Sequence, residues 1–144
     1  MIKINNILVT ITGASGAGKS TIIKKLKQRD SEKYIQIPTY TTRTLRKGEK
    51  QGEQHYFIQK EEYKKLKEKE KILACSTVEG EFYGTPQIDL NNPKYTDKCI
   101  IIDIGAKGVE ELKQIYKNII PIYVMPPTQE RIKQNRNQNR LQRS

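Results

Sequence analysis

The segment Gly13-Ala14-Ser15-Gly16-Ala17-Gly18-Lys19-Ser20 constrains this chain more than any other feature. It fits the pattern G-x-x-x-x-G-K-[ST]. An apolar run at residues 7–12 precedes it, and Ile22, Ile23 and Leu26 follow at helical spacing. Strand, glycine-rich turn and helix in that order have a physical purpose. The glycines let successive backbone N–H groups point into one concavity that holds a phosphate, and the helix N-terminus adds the positive end of its dipole. Lys19 is then set to reach the β- and γ-phosphates of a nucleotide, and the Ser20 hydroxyl to hold Mg²⁺. At average residue usage a chance match in a chain of 144 residues arises on the order of once in a few hundred. The flanking strand and helix make a glycine-rich turn without a ligand the weaker reading.

Beyond the loop the pattern alternates strand and helix. Strands are expected at 34–37, 55–58, 72–78, 81–85, 99–104 and 119–124, and helices at 19–29, 60–71 and 108–117. Tyr63 and Leu66 are expected to face inward from the second helix, and Val109, Leu112, Ile115 and Tyr116 from the third. Residues 99–104, the most apolar stretch, read as a central parallel strand buried on both faces. The stretch after Pro38, to about residue 54, reads as a polar, basic loop, and Thr128 as the cap of a final basic helix. Helices interleaved with buried strands imply an α/β fold with a mainly parallel sheet. From about 34 to 95 the strands lie too close together for crossover helices, so this stretch reads as a small inserted subdomain. The core is then expected from 1–33 and 96–125, with a separate basic segment at 126–144. Asp103, ending the strand at 99–104, can hold Mg²⁺ through water beside Ser20; a helix-capping or solvated aspartate is the plainer alternative.

Lys and Arg number 27 against 16 Asp and Glu, a formal charge of +11 that favours anionic partners. The charge concentrates at Arg43-Thr44-Leu45-Arg46-Lys47 and at Arg131, Lys133, Arg136, Arg140 and Arg143. The basic C-terminal run carries no aromatic stacking platform, so nucleic acid is not an expected partner. No apolar run approaches the roughly 20 residues that span a bilayer, so no membrane is expected either. Residues 7–12 are too short for a signal peptide and lead into glycines and a lysine. Cys75 and Cys99 are too few for a disulfide scaffold, which points to a globular protein of a reducing compartment, the cytoplasm.

With the loop placed, Tyr40-Thr41-Thr42-Arg43-Thr44-Leu45-Arg46-Lys47-Gly48-Glu49 resembles a segment of the guanylate kinase family. The loop, this T-T-R-x-x-R-x-G-E segment, a later Gly80-Glu81-Phe82-Tyr83-Gly84-Thr85 and the strand–Asp–helix at Asp103 occur in the family's order and spacing, over essentially the whole chain. The resemblance implies a P-loop NTPase three-layer fold whose inserted α/β subdomain binds the acceptor. It implies ATP-dependent phosphoryl transfer to a nucleoside monophosphate (GMP + ATP to GDP + ADP), with Mg²⁺. By position, ATP falls to Gly13, Ala14, Ser15, Gly16, Ala17, Gly18, Lys19, Ser20 and Thr21, and Mg²⁺ to Ser20 and Asp103. The acceptor falls to Thr39, Arg43, Arg46, His55, Tyr83 and Thr85.

Lys19, Arg43, Arg136 and Arg140 take the catalytic positions, the last two on the first half of a lid expected to be cut short at Ser144. Two arginines on one loop suit a bidentate anion clamp. His55 stands where the family has a tyrosine on the acceptor phosphate, and a histidine donates the same bond. Ala74 and Gly105 stand where the family sets a glutamate and an aspartate against the guanine N1–H and 2-amino donors. Thr85 stays in pattern. The alternative reading is a non-catalytic binding module that uses the same cleft for a phosphorylated partner.

Overall fold

In the computed structural model, which describes residues 7–14, 16–125, 133, 136–138 and 140–141, a parallel sheet carries the phosphate loop and a second, mixed sheet lies beside it. The chain runs β1 (Ile7–Thr12), α1 (Lys19–Arg29), β2 (Tyr34–Gln36), β3 (Thr39–Thr41), β4 (His55–Phe57), α2 (Lys60–Glu68), β5 (Ile72–Val78) and β6 (Glu81–Pro86). A 3₁₀ turn at Pro93–Tyr95 then leads into β7 (Cys99–Asp103), α3 (Ala106–Ile115) and β8 (Ile119–Tyr123).

The parallel sheet has the order β2-β7-β1-β8, with every neighbouring pair parallel. β7 lies between two partners and buries both faces, as its unbroken apolar run requires. Ile100 and Ile102 pack with Leu8 and with Leu112 of α3 on one side; Ile101 packs with Val9, Ile11 and Ile23 of α1 on the other. Helix, sheet and helix therefore form three layers. Not every expected inward position is filled. Val109 and Leu112 of α3 are fully buried, but Ile115 and Ile22 lie at the margins of their helix stripes and are exposed. β8 ends the sheet among the described residues, with Ile120 and Ile122 nearly half exposed.

The second sheet, β4-β3-β6-β5, mixes one parallel pair with two antiparallel ones. Its limits are narrower than 34–95. β2 pairs with β7 in the parallel sheet, and Ile88 and Tyr95 pack with Leu8 and Ile100, so both ends of that stretch belong to the larger core. Tyr116 fixes the return, its hydroxyl accepting from the Ile88 N–H (3.0 Å) and donating to the Ile88 carbonyl (2.9 Å). β3 lies within the stretch that reads as loop. Its Thr-Tyr-Thr sequence has no apolar alternation, but Thr39 and Thr41 point inward, and pairing with β4 and β6 satisfies the backbone.

α2 ends at Glu68, short of residue 71. Glu61 and Glu62 in its first turn and Lys65 and Lys67 in its last complement the helix dipole. It buries only Tyr63, whose ring stacks on Phe82 (5.2 Å between centroids) and whose hydroxyl donates to the Tyr83 carbonyl at 2.7 Å. A surface helix thus holds β6 in place beneath the cleft.

Gly84 tests this packing. A Cβ there would overlap Cγ2 of the buried Ile72 on the neighbouring strand. Gly84→Ala is expected to destabilise the protein by about 1–3 kcal/mol, read from urea unfolding; an unchanged midpoint would show that the two strands move apart freely.

Candidate active site

The phosphate loop leaves β1 and enters α1 as its residue types dictate. Gly13 passes so close to the β8 end that a Cβ would sit 2.7 Å from the Val124 carbonyl oxygen, and Gly16 and Gly18 adopt φ of 85° and 99°, a region that side chains rarely enter. Gly18 caps α1 without a side-chain hydrogen bond, and no acidic residue stands in the first turn. The helix N-terminus is therefore directed at the loop's own concavity, with its dipole uncompensated. Ser15 lies outside the described residues; Gly13, Ala14 and Gly16 to Thr21 lie in the loop and first turn as expected from the motif.

Parallel pairing sets Ile11 beside Asp103, so the ends of β1 and β7 emerge together. The Thr12 hydroxyl ties them by donating to the Ile104 carbonyl at 2.7 Å. Lys19 Nζ then lies 3.3 Å from Asp103 Oδ1 in a partly exposed ion pair. Ser20 and Asp103 both line a cavity of about 480 Å³ between the two sheets. A hydroxyl and a carboxylate facing a phosphate site are the oxygen donors a hard dication uses alongside substrate phosphates, so these residues fit Mg²⁺. Among the described residues no cluster of three or more acidic, His or Cys side chains offers a metal a site of its own.

On the other side of the cavity Thr39, His55 and Phe57 of the mixed sheet line it with Glu49, and further polar groups gather behind them. Arg43 forms a two-pronged pair with Glu49, Nη1 to Oε2 at 2.8 Å and Nη2 to Oε1 at 2.7 Å, and Oε2 also accepts from the Arg46 backbone N–H at 2.8 Å. The Arg43 hydrogen bonds hold the Glu49 carboxyl down at about 2, against the opposing effect of burial. The Arg43 guanidinium lies 5.3 Å from the centre of the Phe57 ring. His55 meets Phe57 and Tyr83 edge-on, and its Nδ1 is 2.7 Å from Thr39 Oγ1. Burial, followed by the nearby Arg43 charge, lowers its pKa, so the ring is kept neutral.

Thr39, Arg43, His55 and Tyr83 thus meet in one cluster, with Arg46 attached through Glu49 and Thr85 two residues beyond Tyr83 on β6. Arg136 and Arg140 are helical and exposed, and the cavity is lined without them; Arg143 lies outside the described residues. Glu49 and Phe57 were not singled out from sequence as site residues. One signal for Glu49 was available: it is the only acid in the basic stretch 43–50, six residues from the arginine it holds.

A guanylate kinase family model matches residues 5–144. The chain belongs to the guanylate kinase family. It is 32% identical over 120 residues to the guanylate kinase of Prochlorococcus marinus (strain MIT 9312), covering 83% of this chain and 65% of that one. It is also 34% identical over 128 residues to that of Clostridium perfringens (strain 13 / Type A), covering 89% and 59%. The crystal structure of guanylate kinase from Anaplasma phagocytophilum matches this fold with a TM-score of 0.76 at 25% identity, over 96% of this chain and 70% of that one. The chain spans about two thirds of the length of the curated relatives it matches.

The Glu49 carboxyl gives this guanylate kinase-like site an acid signature. Its folded pKa of about 2 lies below the ordinary 4.5, so the stability it contributes is present above pH 4.5 and lost as pH falls toward 2. Urea unfolding from pH 5 to 2 is expected to show a shallower loss for Glu49→Gln than for the parent chain; equal slopes would contradict the pairing with Arg43.

Proposed function

We propose that the chain transfers the γ-phosphoryl group of ATP to the phosphate of a nucleoside monophosphate, with GMP the acceptor that the family name implies. The observation that supports this reading is one cavity lined by Ser20 of α1 and by Asp103, which pairs with Lys19, together with Thr39, His55 and Glu49, which pairs with Arg43. Two phosphates approach each other only where cations offset their repulsion, and catalysis is then positioning and charge stabilisation. An acceptor phosphate oxygen bonds to the γ-phosphorus as the bond to the β–γ bridging oxygen breaks, leaving ADP.

In this reading the parallel sheet binds ATP through residues 13–21, and the mixed sheet brings the acceptor through Thr39, Arg43, Arg46, His55, Tyr83 and Thr85. Ser20 and Asp103 would hold Mg²⁺, which would supply charge neutralisation at the transferring group. Arg136 and Arg140 are assigned to the lid that covers it. The free Cys75 and Cys99 support a reducing, cytoplasmic setting. A purely binding role would not use Lys19 and the glycine-rich cradle, so it is the weaker reading.

A coupled ADP-release assay with ATP, Mg²⁺ and GMP tests the reading. Lys19→Ala is expected to lower kcat by roughly 100-fold or more, the scale for losing one charge-stabilising donor. Arg43→Ala is expected to weaken acceptor binding by about 10–100-fold with ATP affinity retained. Unchanged turnover in Lys19→Ala would rule out the nucleotide site.

A further inference from the structure

β4 opens with His55, the only histidine of the chain, which lines the cavity together with Thr39, Glu49 and Asp103. Register sets it beside Thr39 on β3, which brings Nδ1 to 2.7 Å from the threonine hydroxyl. Phe57 and Tyr83 meet the ring edge-on, at 5.8 Å and 6.0 Å between centroids, and hold its plane. Among the described residues the ring makes no other hydrogen bond, so Nε2 has no partner. The Thr10 hydroxyl is the only fully buried side-chain polar atom left unpaired there, so Nε2 is reached by solvent.

Burial is the largest influence on the ring and, with Arg43 and Arg46, disfavours an imidazolium; Glu49 and Asp103 favour one. Both acids are already paired, Glu49 with Arg43 and Asp103 with Lys19. Lys24 and Lys27 of α1 and Lys50 also line the cavity, against one further acid, Glu53. An oxyanion that enters reverses this balance. A phosphate dianion brings two negative charges, and an opposite charge within about 4–6 Å favours the charged form of an imidazole. Thr39 accommodates either state, because a hydroxyl can donate to a bare Nδ1 or accept from Nδ1–H.

We propose that His55 takes up one proton from solvent when the acceptor phosphate binds, and donates to a phosphate oxygen through Nε2–H, tying acceptor affinity to pH. The imidazole then supplies a cation only while an anion is present, and the empty cleft carries no further charge beside Arg43. A tyrosine at this position would donate one hydrogen bond without any change of charge below about pH 10. The inference rests on the acceptor reading of the cleft given above, and the experiment separates the two.

One histidine gives one imidazole signal. Proton NMR follows its Hε1 resonance from about pH 5 to 9 in the full chain, free and with saturating GMP, without ATP or Mg²⁺. The midpoint is expected below the ordinary 6.5 in the free chain, and higher by about one pH unit or more with GMP bound. By calorimetry, GMP affinity is expected to tighten roughly fivefold from pH 8 to 6.5 in the parent chain. His55→Gln keeps a donor but does not titrate, so it is expected to lose that tightening. Each ratio is internal to one variant, so packing lost around residue 55 cancels. A midpoint that bound GMP leaves in place would overturn the proton uptake and leave the acceptor site standing, as would equal tightening in His55→Gln. Absence of GMP binding at every pH would overturn both.

Discussion

The parallel pairing of β1 with β7 is the constraint on which the site depends. In this register Ile11 stands beside Asp103, so the strand that ends in the glycine-rich loop and the strand that ends in a carboxylate finish at the same level. A slip of one residue would turn Ile100 and Ile102 away from α3 and Ile101 away from α1, forfeiting burial on both faces at once. Hydrophobic packing, which is non-directional, thereby fixes a polar geometry to within a bond length: Lys19 reaches Asp103 because the isoleucines behind it cannot move.

Residues of the mixed sheet are positioned differently. β3 and β4 have three residues each, too few to bury a core of their own, and they are held by pairing and by side-chain bonds. Glu49 braces Arg43 and the Arg46 backbone, Thr39 braces His55, and Tyr63 reaches from α2 to the Tyr83 carbonyl. Such a unit can be rigid internally and still shift against the parallel sheet, because the cavity between them is lined mostly by polar side chains.

These two modes of construction explain what was legible in the sequence. The phosphate loop, β7 and the stripe through Val109 and Leu112 could be read directly, since each follows from a local period or a glycine requirement. β3 could not: Thr-Tyr-Thr becomes a strand only through partners at residues 55–57 and 83–84, far along the chain. The limits of the small unit were misjudged for a related reason. Ile88 and Tyr95 sit in a polar stretch, and only the tertiary fold carries them back against Leu8 and Ile100. Arg43 was singled out by motif, but its pairing with Glu49 is a contact that spacing alone does not reveal.

The same two carboxylates shape how ligands are received. In the free protein Lys19 is paired with Asp103 and Arg43 with Glu49, so neither cation is left buried and uncompensated. A phosphate arriving at Lys19 competes with Asp103 for one ammonium group, a point charge with three rotating donors. One arriving at Arg43 has no need to displace Glu49. The guanidinium spends two donors on the carboxylate and one on the Thr44 carbonyl, with Tyr83 as a further partner, so its fork extends beyond the Glu49 pair. In the proposed reading the nucleotide side is thus an exchange of partners and the acceptor side an addition.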